Sequence, residues 1–120
     1  MARRAHHGFG MEILVQNRSK VAPEVLAQCN ARQVDSIEDL LPKCDFVSLH
    51  CPGGEATRHL VNAARLAVMQ PHAYLINTAR GDVVDHEALV EALESRRLAG
   101  AGLDVYEGEP AVPPALCNME

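Results

Sequence analysis

Apolar residues along the chain come in short runs set between polar stretches rich in Gly and Pro. Residues 11–15 (MEILV), 46–49 (FVSL), 73–76 (AYLI) and 101–105 (AGLDV) each carry a β-favouring apolar run, and each predicts a strand. Between them lie stretches with helical signals. Pro23 suits the first turn of a short helix through Glu24, Val25, Leu26 and Ala27. Ser36 before Ile37, Glu38 and Asp39 reads as an N-cap with acidic first-turn residues, and Pro42 stops that helix. Asn62 caps a helix over residues 63–69, with Leu66 and Met69 on one side. The clearest helical pattern covers residues 85–98. Asp85 is its cap, Leu89, Ala92 and Leu93 line one face, Arg96 and Arg97 occupy the last turns, and Gly100 takes the left-handed ending position. At the start, residues 2–5 read as the last turn of a helix, with Gly8, Phe9 and Gly10 as a loop.

Strand and helix alternate at the spacing of βα units, and the strands are nearly continuous apolar runs. That pattern predicts an α/β chain whose parallel sheet is covered on both faces. A chain of 120 residues with 48% hydrophobic residues suits a single domain with a real core. With Trp 0, Phe 2 and Tyr 2, that core rests on Leu, Val, Ile and Ala. A formal charge of -5 argues against a nucleic-acid-binding domain. Charge is uneven: residues 1–20 carry a net +3 and residues 82–120 a net -7. No apolar run approaches the roughly 18 residues of a membrane span. The four cysteines form no CxxC pair and fit a reduced, cytoplasmic protein. The six histidines form no metal-binding motif, so no metal is expected.

Ligands of open α/β sheets bind outside the carboxyl ends of the strands. The polar residues following the strands are therefore the candidates: Asn17, Arg18 and Ser19; His50, Cys51 and Pro52; Asn77, Thr78 and Arg80; Asp104, Tyr106 and Glu109. Arg80 stands out, because a guanidinium placed directly after a strand can grip a carboxylate with two parallel hydrogen bonds. Capping a helix or pairing with Asp82 are its ordinary alternatives. Asp104 is read as a ligand-amide acceptor or a turn former, and Glu109 as a base-orienting carboxylate or a solvated loop residue. In a dinucleotide-binding sheet, an acid after the second strand selects a free ribose 2′-hydroxyl; Asn17 and Arg18 suit a 2′-phosphate instead. His50 and Cys51 are adjacent on an extended chain and point to opposite faces, which disfavours a catalytic dyad. Gly8 and Gly10 precede a strand rather than a helix, so they are not a phosphate-binding loop.

Four segments together resemble the nucleotide-binding domain of the D-isomer-specific 2-hydroxyacid dehydrogenases, nearest to their glyoxylate/hydroxypyruvate reductase or 2-ketogluconate reductase branch. They are ARRAHHGFGMEILVQNRSK, DFVSLHCP, MQPHAYLINTARGDVVDHEALVEAL and AGAGLDVYEGEP, and the resemblance spans residues 2–116, leaving 117–120 as a divergent tail. It implies an incomplete Rossmann-like, doubly wound parallel sheet lacking the first strand and the Gly-rich loop. Arg80 matches the family's catalytic arginine, and Glu109 the glutamate that pairs with the catalytic histidine. Asp104 matches the aspartate that holds the nicotinamide carboxamide. His50, Cys51 and Pro52 match the adenine-side loop; Asn77, Thr78 and Ala79 line the nicotinamide side. Asn17, Arg18 and Ser19 replace the acid of NAD-preferring members, which implies NADP(H) preferred over NAD(H).

The resemblance also implies departures. The Gly-rich loop, the catalytic histidine and the substrate-binding domain have no counterpart here, and Gly53-Gly54 stands where the family has Leu-Thr. Strand 1 is central in the order 3-2-1-4-5-6, so without it strand 2 has no partner bridging to strand 4; the two halves could close directly on each other, or another chain could supply a strand. The expectation is a partial domain of an NADP(H)-dependent oxidoreductase of 2-oxo acids, inactive as this isolated chain. Its partners would be the dinucleotide, a small 2-oxo acid and a second copy in a homodimer, with no nucleic acid and no membrane. The rival readings are a non-catalytic dinucleotide-binding or interaction module and an inert truncation product.

Overall fold

The computed structural model describes residues 1–117, which group into two compact units, Met1–Pro42 and the stretch from Lys43 onward. In the first unit, α1 (Ala2–Phe9) runs longer than its sequence suggests. Gly10 adopts φ 67 and its N–H donates to His6 O at 2.9 Å. The stretch at Gly8 and Phe9 expected as a loop is therefore the last turn of a helix, closed by the glycine in the left-handed conformation that glycine adopts without strain. Only Leu14–Val15 of the apolar run 11–15 forms a paired strand, β1. After it come α2 (Pro23–Ala27), with Pro23 in its first turn, and β2 (Arg32–Gln33), parallel to β1. β2 has no apolar pattern; it is a strand because Arg32 N–H and Val34 N–H donate to Ile13 O and Val15 O, both at 2.9 Å. In α3 (Ile37–Leu40), Ser36 Oγ accepts from Asp39 N–H at 3.0 Å, and the chain tightens into a 3₁₀ turn at Leu41–Lys43.

The second unit is built on three parallel strands, β3 (Phe46–Leu49), β4 (Tyr74–Asn77) and β5 (Gly100–Leu103), in the order β3-β4-β5. Burial alternates along β3 and β4, with Val47, Leu49, Leu75 and Asn77 inward. Leu66 of α4 (Ala63–Val68), and Leu89 and Ala92 of α5 (His86–Glu94), are buried with them, as are Val61, Val83 and Val84. On the opposite face Phe46 and Tyr74 stack with centroids 5.5 Å apart and remain exposed. A short α6 (Pro114–Cys117) follows.

The end of α5 departs from expectation. The helix stops at Glu94, the left-handed residue is Arg96 (φ 55), and Gly100 begins β5. Arg97 N–H donates to Ala92 O at 2.8 Å, and Leu98 turns into the core at 3% exposure, which a continued helix would not allow. Gly100 leaves room for its strand partner's ring: a Cβ there would lie 2.8 Å from Tyr74 Cε1.

The strands form two ladders, β1-β2 and β3-β4-β5. These correspond to the 3-2 and 4-5-6 runs of the doubly wound order, and no ladder joins them among the described residues. The architecture is thus α/β and Rossmann-like, with all paired strands parallel. No helix among the described residues is long and apolar enough to cross a membrane.

Candidate functional site

The register pairs Leu49 with Asn77 and Asn77 with Leu103, so β3, β4 and β5 end level with one another. Three loops therefore start side by side at the carboxyl edge: His50-Cys51-Pro52, Thr78-Ala79-Arg80, and the loop opened by Asp104, whose N–H donates to Asn77 O at 3.0 Å. An open cleft of about 810 Å³ lies among them. It is lined by Pro52, Gly53, Arg58, Arg80, Tyr106 and Glu109, among others.

Asn77 builds the turn that carries Arg80. It is fully buried, its Nδ2–H donates to Arg80 O at 2.9 Å, and its Oδ1 accepts from Ala79 N–H at 3.0 Å. Both ends of the amide are committed to the backbone, so it shapes the turn from inside while Thr78 and Arg80 are exposed. Arg80 donates from one guanidinium nitrogen to Ala79 O at 2.7 Å and makes no salt bridge among the described residues. Neither ordinary alternative, a cap or an Asp82 pair, is realised by its side chain. Arg80 is one of the residues lining the cleft.

The next residue locks this turn to the opposite loop. A Cβ on Gly81 would lie 2.0–2.3 Å from the backbone of Tyr106 and Glu107, so only glycine permits the approach. Glu109 is exposed, and its Oε1 accepts from Tyr106 N–H at 2.7 Å. Asp104 is exposed, with no side-chain hydrogen bond among the described residues. His50 Nε2 lies 2.9 Å from Ser48 Oγ. Burial pushes the Cys51 thiol above its usual range, with Asp82 adding to the rise and a backbone hydrogen bond opposing it, which disfavours a thiolate nucleophile. No group of three or more metal-ligating side chains occurs among the described residues.

In the first unit, the loop after β1 is internally braced. Asn17 Nδ2–H donates to Ser19 O at 3.0 Å and to Ser19 Oγ at 3.2 Å. Gln33 on β2 spans the same loop, accepting from Val21 N–H at 2.8 Å and donating to Ser19 O at 3.0 Å. Arg18 is exposed, without a salt bridge among the described residues.

Sequence reasoning misses a polar cluster that includes two of the cleft's lining residues, Arg58 and Glu107. Glu107 Oε1 lies 2.5 Å from an Arg58 guanidinium nitrogen, and Glu107 Oε2 lies 3.0 Å from His59 Nε2. His59 Nδ1 lies 4.0 Å from Asp85 Oδ2, and Glu107 N–H donates to His86 Nδ1 at 3.3 Å. His59 has φ 48, the left-handed backbone that a non-glycine residue holds only when its surroundings impose it. These partners are 21 to 49 residues apart, so no local spacing reveals them.

The whole chain, residues 1–120, matches the family model described as "D-isomer specific 2-hydroxyacid dehydrogenase, NAD binding domain". A glyoxylate reductase from Thermococcus litoralis is 47% identical over 110 residues, covering 92% of this chain and 32% of that protein. The holo form of Rhodotorula graminis D-mandelate dehydrogenase superposes with a TM-score of 0.95 at 41% identity, over 98% of this chain and 34% of that one. An NADPH-dependent glyoxylate/hydroxypyruvate reductase from Sinorhizobium meliloti, in complex with NADP and malonate, gives a TM-score of 0.87 at 34% identity, over 97% and 35%. The chain spans about a third of the length of these relatives. The level strand ends, the arginine on its asparagine-built turn and this match over the full sequence lead to one assignment: the chain belongs to the D-isomer specific 2-hydroxyacid dehydrogenase family, as its nucleotide-binding domain.

Proposed function

We propose that these residues serve an NADP(H)-dependent reductase of small 2-oxo acids such as glyoxylate or hydroxypyruvate. The observation that carries this reading is Arg80, exposed and without an ion pair among the described residues, lining one cleft with Glu109. A bound nicotinamide dinucleotide would supply the hydride. Arg80 grips the substrate carboxylate and polarises the 2-oxo group. Glu109 pairs with a histidine acid, Asp104 accepts from the nicotinamide carboxamide, and Thr78 and Ala79 line that side. His50, Cys51 and Pro52 border the adenine side. The residues fit such a cofactor in their donor set: Asp104 has a carboxylate to spare, and Arg18 is a spare cation beside Asn17 and Ser19 where an acid would repel a 2′-phosphate. Arg18 therefore favours NADP(H). Four free cysteines suit a reducing, cytoplasmic setting.

The test is glyoxylate-dependent NADPH oxidation by the protein that carries these residues, its intact mass measured alongside. Arg80→Ala should lower kcat/KM by about 100-fold or more, as expected for loss of an electrostatic stabiliser. Unchanged turnover would remove Arg80 from the chemistry. Arg18→Ala should lower the preference for NADPH over NADH about tenfold, since one phosphate pairing is worth at least ~1.4 kcal/mol. An unchanged cofactor ratio would reject that assignment.

A further inference from the structure

His59 is bonded to two residues that line the cleft, Asp82 through its main chain and Glu107 through its ring. Its segment runs beside the chain that leaves the Arg80 turn. His59 N–H donates to Asp82 O at 2.7 Å, Val61 N–H to Val83 O at 3.0 Å, and Asp85 N–H to Val61 O at 2.9 Å. The ring meets Glu107 Oε2 at 3.0 Å. The backbone at φ 48 does not call for a ring, since asparagine enters the left-handed region readily. What histidine adds there is reach.

Close packing at Gly81 sets how near the Tyr106–Glu109 loop comes; hydrogen bonds decide whether it stays. Among the described residues, every hydrogen bond or ion pair from 105–109 to anything before β5 involves Glu107. Its Arg58 partner is more than half exposed, so solvent screens that pair. The bond to His86 is long, at 3.3 Å. The His59 bond is shorter and partly buried, and of the three partners only His59 has a main-chain bond to Asp82. Glu109 follows this loop, because its Oε1 accepts from Tyr106 N–H at 2.7 Å.

We infer that His59 is a positioning residue: by bonding Asp82 with its main chain and Glu107 with its ring, it sets where the Glu109 carboxylate stands relative to the Arg80 turn. This rests on the reading of Arg80 and Glu109 as the acting pair. Histidine Nε2 lies one bond farther from Cβ than an asparagine amide nitrogen, and a glutamine amide spans that distance.

The experiment compares His59→Asn, His59→Gln, Glu107→Ala and the double variant His59→Asn/Glu107→Ala in the protein that carries these residues. Three measurements apply: amide exchange at residues 106 and 107, kcat and KM for glyoxylate, and the pH profile of kcat/KM. His59→Asn should speed exchange about tenfold at both amides, as expected for a loop that opens locally. It should lower kcat about 10- to 100-fold and leave KM within about twofold, because Arg80 still grips the carboxylate. The basic limb of the profile should move to lower pH, since a histidine acid that loses its carboxylate partner gives up its proton more easily. His59→Gln should recover most of the exchange protection and of kcat. Glu107→Ala leaves the His59 backbone untouched and should reproduce both losses even if His59→Asn folds poorly. Adding His59→Asn to Glu107→Ala should change kcat by less than about twofold, because the two act as one unit. Unchanged exchange and kcat in His59→Asn, equal deficits in the asparagine and glutamine variants, or additive losses with Glu107→Ala overturn the inference. If Arg80→Ala and Glu109→Gln leave glyoxylate turnover unchanged, the functional reading falls and so does the catalytic part of the His59 role. Exchange at residues 106 and 107 still decides whether His59 holds the loop.

Discussion

Glu107 holds two partners at once, the Arg58 guanidinium on one oxygen and the His59 ring on the other. The His59 hydrogen bond leads in lowering its pKa below the usual 4.5; burial opposes this, and Arg58 adds to the lowering. A carboxylate with a depressed folded pKa stabilises the fold above 4.5 and loses that contribution as pH falls through the folded value. Glu107→Gln should therefore flatten the acid limb of a stability–pH curve below about 4.5. At pH 7 it should cost about 1 kcal/mol or less, because Arg58 is more than half exposed and solvent screens the pair. Urea midpoints from pH 3 to 7 would check this, and an unchanged acid limb would contradict it. His86 works in a higher window. Burial leads in lowering its pKa below 6.5, against Glu107 and Asp85, which raise it; His59 lowers it further. Its Nδ1 takes the Glu107 N–H, and its Nε2 is buried without a partner among the described residues. Protonating this ring is disfavoured in the fold, so stability present above 6.5 falls as pH drops below it. His86→Gln should remove that slope. None of this cluster was legible in the sequence, where Arg58, His59 and Glu107 look like ordinary surface charges. The placement of Arg80 in an exposed loop after a strand was legible, because its position after an apolar strand is a local signal.

Helix starts were read correctly from single residues, because a cap acts within one turn. Ser36, Asn62 and Asp85 each accept from the backbone N–H three positions on, at 3.0, 3.1 and 3.1 Å. Asp85→Ala should cost about 1 kcal/mol of stability, and Asp85→Asn much less, since the amide oxygen still caps. Equal losses in urea titrations would mean that the carboxylate charge matters more than the cap. Elements that depend on distant partners escaped. Arg32–Gln33 is a strand only through its bonds to β1, and Gly100 is a strand residue that yields its side-chain space to Tyr74. Gly81 also needs a distant partner to explain it. Gly81→Ala should destabilise by about 3 kcal/mol, the upper part of the range for overpacking, because the added methyl meets backbone that cannot rotate away. A calorimetric loss below about 1 kcal/mol would show that the two loops separate easily.

The two units differ in what they bury. Among the described residues, Cys29 and Leu41 are the buried apolar residues of the first, whereas the second buries Val47, Leu49, Val61, Leu66, Leu75, Val83, Val84 and Leu89, among others. Paired strands of two residues in β1 and β2 are far below the three or more strands that stabilise a sheet independently. Amide hydrogen exchange should therefore be fastest at Val15, Arg32 and Val34, and slowest across β3, β4 and β5. Equal protection in the two groups would show that they open as one cooperative unit.

The sequence by itself determined the α/β alternation, the helix caps, the family, and the order of strands and loops along which Arg80, Asp104 and Glu109 fall; the strand ends themselves shifted, with Asn77 closing β4 and Leu103 closing β5. Each of these rests on signals that act within a few residues or along one periodic segment. Tertiary structure alone decided which polar groups meet: Glu107 with Arg58, His59 and His86, and Gly81 with the Tyr106 backbone. Those contacts depend on distances between segments that no local pattern encodes. Charge pairing and excluded volume act through space, and only the fold brings their partners within reach.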